Sequence, residues 1–291
     1  MRILLVFADK PNEWNTSEWR CMIPAAAINR LDGHQALTIY LEDLFVGSRN
    51  AIEGVRWADV VVIERNFFGR TRSLVQNLKR AGKLVIGDFD DAYHLMPKTV
   101  PSSPHWNENK TRLPDGSSIL YKPGYLNEWI ACLAEFHAFH TPSRLLTQDW
   151  LHINSHGYVV NNYPDYNWPS WSIKRSRFDV PIVVAWGGGG SHLQSFTDSK
   201  IIPALKLLCD CYSEVMIGVV SGDERIRDCL GLGARLTYHR GGPPHGWPAM
   251  IPEFDIAYVP LAGDYDDRRS WIKVLESSAQ GVPWVAVMRN D

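Results

Sequence analysis

The sequence predicts an α/β protein of two doubly wound, Rossmann-like domains, and three observations carry that reading. Apolar runs such as Ala58 to Ile63 (ADVVVI) are continuous, as in parallel strands buried on both faces. They alternate with helical segments that end at a glycine, the β-α-β rhythm of a parallel sheet with right-handed crossovers. The rhythm stops in a stretch rich in Pro and aromatic residues and restarts at Pro181. The expected division is a domain over 1–163, a linker over 164–180 and a second domain over 181–291, facing each other across a cleft.

Taken in order, Ile3 to Phe7 reads as the first strand and Ser17 to Leu31 as a helix stopped at Asp32-Gly33. Ala36 to Tyr40 and Ala58 to Ile63 follow as strands, then Thr71 to Ala81 as a helix closed by Gly82, and Lys83 to Ile86 as a strand. Between Asp88 and Gly124 five prolines and many small polar residues erase any period. That predicts a long loop without secondary structure, a flap over a cleft. Leu126 to Ala138 and Ser143 to Ile153 are the next helices, with Thr141 or Ser143 as cap of the second, and Tyr158 to Val160 is the last strand of this half.

The second half offers strands at Ile182–Trp186, Val215–Val220, Arg235–Tyr238, Ile256–Val259 and Val285–Val287, and helices at Phe196–Cys209, Glu224–Leu230 and Ser270–Gln280. Ser270 is placed to cap the last helix and Gly281 to stop it. On that helix Ser270, Lys273, Glu276 and Ser277 form a polar stripe, starting where open α/β sheets bind ligands.

Composition narrows the function classes. A chain of 291 residues with 45% hydrophobic and 21% charged residues is globular rather than disordered. A net charge of -2 and basic clusters no longer than KRSR (174–177) and Arg268-Arg269 argue against nucleic acid as a partner. Five cysteines without metal spacing argue against a disulfide framework and for a reducing cytoplasm. The opening MRILLVFADK is too briefly apolar for a signal peptide, and no run is long enough to span a membrane, which leaves only peripheral association open. Of the twelve tryptophans, Trp14, Trp106, Trp168, Trp171 and Trp247 sit in expected loops, where they either stack on sugars or bases or cover domain edges.

Four short stretches could carry chemistry. AWGGGGSHLQS (185–195) follows a strand, and its glycines admit backbone close to a ligand, with a helix N-terminus beyond for an anion. It matches neither the dinucleotide nor the Walker fingerprint, and it could equally be a flexible turn. His192 could hydrogen-bond a phosphate or sugar hydroxyl, or be ordinary surface. DFDDAYH (88–94) sets Asp88, Asp90 and Asp91 at a strand end, for sugar hydroxyls or a structural turn rather than a metal. In NTSEWRCMIPAA (15–26), Arg20 lies in the first turn of a helix, where the dipole disfavours a cation; it either faces an anion or pairs with Glu13 or Glu18. GGPPHGWPAM (241–250) would suit the face and edge of a nucleobase, or serve as a connection.

Together these residues resemble the retaining GT-B glycosyltransferases of the group 1, family 4-like class, in particular a polysaccharide-biosynthesis subgroup. The likeness covers the whole chain in domain order and is sharpest at WRCMIPAAAINRLDGH, KLVIGDFDDAYHLMP, IVVAWGGGGSH and FDIAYVPL…RRSWIKVLESSAQGVPWVAV. It implies a GT-B architecture whose C-terminal part is short, since family members usually continue beyond the GVP strand. It implies transfer of a sugar from a nucleoside diphosphate sugar to a glycan or other hydroxyl acceptor, with retention, no metal and no cofactor. Glu276 matches the second Glu of the family's E-x7-E motif, which binds ribose; Arg268 stands where the first Glu would be, and Arg269-Ser270 replaces it as the diphosphate contact. The implied donor side is Gly188, Gly189, Gly190, His192, Gly222, Pro260, Leu261, Ser270 and Glu276; Arg269, Lys273 and Asp91 are the expected catalytic groups; Arg20, Asp88, Asp90 and Tyr93 lie on the acceptor side. The rival expectation is a GT-B-like protein that binds a nucleotide sugar or glycan without turning it over. A weaker one is a sugar epimerase of the same architecture.

Overall fold

A computed structural model describes residues 1–11, 16–112, 117–120, 122, 124–167, 171, 181–241 and 246–287. Glu13, Trp14, Trp168, the KRSR run and the 242–245 part of the GGPPHGWPAM stretch therefore lie outside the described residues. The chain forms two compact units. The first comprises Met1–Met96, Ser102–Tyr163 and the short segment Arg268–Ser270; the second comprises Pro97–Pro101, Pro164–Asp267 and Trp271–Asp291.

The first unit begins with β1 (Arg2–Phe7), a wide helical turn over Glu18–Met22 that runs into α1 (Ile23–Ile28), and β2 (Gln35–Tyr40). Two helices absent from the sequence reading follow, α2 (Leu41–Val46) and α3 (Arg49–Trp57). Gly47, at φ +69°, separates them, and Ser48 caps α3 by accepting the Ala51 N–H at 3.3 Å. Gly54 lets α3 close onto the sheet, because a Cβ there would lie 2.6 Å from Ile39 Cδ1. Next come β3 (Val60–Glu64), α4 (Thr71–Arg80) and β4 (Leu84–Asp88). All five residues of β3 are buried, as the continuous apolar run requires.

The stretch after Asp88 is not structureless. It holds a single turn at Tyr93–Leu95, α5 (Ser103–Asn107) and a hairpin of β5 (Lys110–Arg112) with β6 (Ser118–Leu120). Aromatic burial organises it: Tyr93 stacks on Trp106 at 4.2 Å, and Asn107 ties the turn down by donating to Met96 O at 2.9 Å. α6 (Tyr125–Leu133), β7 (Ala138–Thr141), α7 (Arg144–Trp150) and β8 (Gly157–Val159) complete the unit. Ser143, not Thr141, caps α7. The core between sheet and helices is aromatic, with Phe67, Phe89, Trp129 and Phe139 all fully buried. Its six-stranded sheet is parallel, in the order β2-β1-β3-β4-β7-β8.

The second unit carries β9 (Ile182–Gly187), α8 (Leu193–Asp198), α9 (Ile201–Cys211), β10 (Val215–Val220), α10 (Glu224–Leu230) and β11 (Leu236–His239). It continues with α11 (Trp247–Met250), β12 (Ile256–Val259), α12 (Gly263–Asp267), α13 (Ile272–Ala279) and β13 (Trp284–Ala286). The single helix expected over Phe196–Cys209 is two helices. Pro203 lacks an N–H and its ring would clash with the backbone one turn back, so it fits only the first turn of a new helix, and Lys200 makes the break at φ +60°. Its five parallel strands run β11-β10-β9-β12-β13. Among the described residues, no helix is long and apolar enough to cross a membrane.

Candidate functional site

In the second sheet the chain leaves β9 toward β10 on one side, while β12 lies on the other. Loops after β9 and β12 therefore diverge, which opens a crevice at the carboxyl ends of these two strands. A small recess occupies that point, lined among others by Trp186, Gly187, Trp247, Tyr258, Lys273 and Glu276.

α13 presents its polar stripe inward, with Glu276 and Ser277 buried. Glu276 is 1% exposed, which for an acid demands a partner. Lys273, one turn earlier, supplies it: Nζ donates to Glu276 Oε2 at 3.0 Å. The other oxygen, Oε1, has no hydrogen-bond partner among the described residues. Burial raises the Glu276 pKa above the ordinary carboxylate value, and Lys273 and the Trp247 indole N–H pull against that rise. The same ammonium lies 4.9 Å from the Trp247 ring centroid, in cation–π contact.

Trp247 lies across the end of β9, and this fixes residue 187 as glycine, because a Cβ there would run into the indole ring. Gln280 ties α13 to α11 by donating to Pro248 O at 3.2 Å. Trp186 Nε1 and the Tyr258 hydroxyl also line the recess without a hydrogen-bond partner among the described residues. The recess thus offers hydrogen-bond donors, one open carboxylate oxygen and a cation within a few ångströms of each other. That set suits a hydroxyl-bearing ring attached to negative charge.

Of the site residues read from sequence, Lys273, an expected catalytic group, and Glu276, on the donor side, meet in this recess. Gly188, Gly189 and Gly190 follow β9 beside it, leading to a single turn and the six-residue α8. His192 is neither surface nor open: it is buried with its ring 5.2 Å edge-on from Trp186. Pro260 and Leu261 follow β12 directly, and Gly222 is exposed after β10. Ser270 does not cap the last helix, which starts at Ile272 after Trp271 without a side-chain cap. Arg268 donates to the Asp149 carboxylate, and its carbonyl accepts from Ser143 Oγ at 2.8 Å.

The acceptor-side set needs a larger correction. Arg20 pairs with neither Glu18 nor an open anion: it is buried and forks onto Asp88 through Nε (2.9 Å) and Nη2 (2.8 Å). Its Nη1 donates to Val160 O at 2.7 Å and to Asn162 Oδ1 at 2.8 Å. Burial alone would push Asp88 up, but Arg20 and His140 outweigh it and hold the carboxyl below its ordinary range. Tyr93 is a core ring, stacked on Trp106. Asp90 and Asp91 are half-buried in the turn that follows. Trp171, expected in a loop, is also fully buried.

Sequence reasoning missed Glu64, which closes the apolar run VVVI and is completely buried. An acid ending a strand buried on both faces was the available signal. Among the described residues, no group of three or more His, Cys, Asp or Glu side chains is placed to hold a metal ion.

No family model and no curated protein matches the chain. Solved structures do. Sucrose-phosphate synthase from Thermosynechococcus elongatus is 11% identical, with a TM-score of 0.61 over 98% of this chain and 80% of that one. HepE of Anabaena, solved in complex with UDP, is 13% identical, with a TM-score of 0.56 over 99% and 81%. A Listeria monocytogenes protein described as a UDP-N-acetylglucosamine 2-epimerase is 9% identical, with a TM-score of 0.51 over 100% and 80%. The fold is therefore the GT-B fold of two Rossmann-like units.

Proposed function

We propose that the chain is a glycosyltransferase that takes a sugar from a nucleoside diphosphate sugar and passes it to a hydroxyl acceptor. The observation that carries this reading is Glu276, buried at the β9/β12 switch point with one oxygen held by Lys273 and its carboxyl lining the recess beside the Trp247 indole N–H. A carboxylate so placed accepts a ribose hydroxyl, and Lys273 stands ready for the negative charge attached to that ribose. UDP in the HepE structure, on the same fold, supports a nucleotide as the ligand.

In the proposed reaction the bond from the anomeric carbon to the diphosphate oxygen breaks and a bond to the acceptor oxygen forms on the same face. The departing diphosphate takes the acceptor's proton, so no side-chain base is assigned and no metal is invoked. The demand is for charge stabilisation at the leaving diphosphate. Lys273 meets it in the second unit; Arg269 keeps its assignment on the sequence motif alone.

One observation favours the second reading, a protein that binds the nucleotide sugar without turnover. Arg268, at the position of the motif's first Glu, is committed to Asp149. A thermal-shift screen against UDP-, GDP-, ADP- and dTDP-sugars separates the outcomes. A ligand at 100 times its Kd stabilises the fold by about 2.7 kcal/mol, and Glu276→Gln should remove the response. No response to any of the four sinks the nucleotide reading; a response without sugar release or transfer selects binding alone.

A further inference from the structure

In the first unit, α7 carries a charged cluster that the nucleotide recess does not use. Ser143, its cap, accepts the Leu146 N–H at 3.2 Å and donates its hydroxyl to Arg268 O at 2.8 Å. Asp149, near the other end of the helix, takes the Arg268 guanidinium on both oxygens, Nε on Oδ2 and Nη2 on Oδ1 at 3.1 Å. His94, in the single turn after β4, brings Nε2 to 3.2 Å from that same Oδ2. The side chains of Arg268, Asp149 and His94 are 19%, 18% and 24% exposed, so solvent screens their charges only weakly.

The surroundings of His94 favour a neutral ring. Trp150 lies edge-on to it, with centroids 4.8 Å apart, and Nδ1 is buried without a hydrogen-bond partner among the described residues. A neutral imidazole places its one proton on Nε2, donates it to Asp149 and leaves a lone pair on Nδ1. A protonated ring carries a second N–H that meets no acceptor there. It also sets a second cation on a carboxylate oxygen that already serves Arg268.

We propose that His94 is a proton-operated release for Arg268: protonation of its ring loosens the guanidinium from Asp149 and opens the side-chain hold on the Arg268–Ser270 segment. One carboxylate balances one cation, and in acid it faces two. Linkage gives the same sign. Burial first, then the Arg268 charge and His152, hold the His94 imidazole below its ordinary value, while Asp149 pulls it up. A cation that weakens the hold of His94 on a proton is itself held less tightly once the proton arrives. The latch is therefore closed at neutral pH and opens as pH falls through the His94 transition. Ser143 does not titrate, so its bond to the Arg268 carbonyl persists and the movement is confined to the side chain. Arg269 and Ser270, matched to the diphosphate by the sequence motif, are the next residues in the chain. Release of Arg268 goes beyond the transferase reading and does not need it.

NMR of the full chain, labelled with nitrogen-15 at arginine and histidine, follows the His94 ring and the Arg268 Nε–H in one titration across the imidazole range. In wild type, His94 should titrate below the ordinary imidazole value, and the Arg268 signal should move with the same midpoint. Arg268→Gln removes the competing cation and should raise the His94 pKa; each unit of that rise is a tenfold weaker latch in the protonated state. A merely structural contact would leave the His94 pKa where it was. His94→Gln keeps a donor for Asp149 without a proton to gain, and should hold the Arg268 signal still over the same range. An unchanged His94 pKa in folded Arg268→Gln overturns the release, as does an Arg268 signal that stays put while His94 titrates in wild type. Circular dichroism melts identify folded variants; if Arg268→Gln does not fold, the wild-type and His94→Gln titrations decide. No nucleotide enters the measurement, so its failure is separate from failure of the nucleotide reading.

Discussion

Glu64 should make the protein lose stability as pH rises, against the usual behaviour of a carboxylate. Its pKa moves from 4.5 to about 8 in the folded state, first because burial penalises the charged form. Below pH 4.5 both folded and unfolded chains hold the proton, and the contribution is fully present. Between 4.5 and about 8 the unfolded chain has released it while the folded chain has not, so stability falls with pH until the folded group itself ionises. At roughly 1.4 kcal/mol per pH unit, the window amounts to at most about 5 kcal/mol. Glu64→Gln preserves the oxygen that accepts the Ala8 N–H and the Ser17 hydroxyl, and removes the titration. Urea denaturation of both proteins at about pH 5 and about pH 8.5 isolates this group, because Asp88 and the other titrating residues are common to both. Gln should gain several kcal/mol on Glu between the two conditions. A difference that stays within about 0.5 kcal/mol would refute a carboxyl kept protonated by burial.

Further outcomes follow from the other contacts. Asp88→Asn leaves the Arg20 guanidinium buried without its counter-charge, and should cost about 3–5 kcal/mol in a urea titration. Gly187→Ala drives a methyl into the Trp247 indole; a loss of about 1–3 kcal/mol in thermal melts is expected, with weaker UDP binding by calorimetry. UDP binding should also weaken on acidification at a higher pH than an ordinary carboxylate would give, because the Glu276 pKa is raised and its ionised form is the acceptor. An affinity that is flat from neutral to mildly acid pH would remove Glu276 from the ribose.

The strands were legible because buried parallel strands leave uninterrupted apolar runs, as at β3 and β10. The α2–α3 pair was not, since between them only Leu41, Ala51 and Gly54 are fully buried while apolar residues such as Val46 and Ile52 stay exposed and blur the period. The 88–124 stretch misled for a different reason: its order comes from rings such as Tyr93 and Trp106 that are close in space but leave no period in sequence. At the recess, the acid and lysine of α13 were readable from spacing three apart, whereas Trp247 over Gly187 depends on packing between elements sixty residues distant. The pairing of Arg20 was not legible because its partner, Asp88, is brought to it only by the sheet.

Placing two indoles around a recess that also holds an ammonium and a carboxylate gives the molecule a built-in optical probe. A charge beside an indole shifts the energy of its excited state, and Lys273 sits 4.9 Å from the Trp247 ring. Any ligand that draws Lys273 toward its own phosphates changes the field on that ring and hence the colour and intensity of its emission. Occupancy can then be followed in unlabelled protein on the millisecond scale, with a Trp247→Phe protein supplying the silent background.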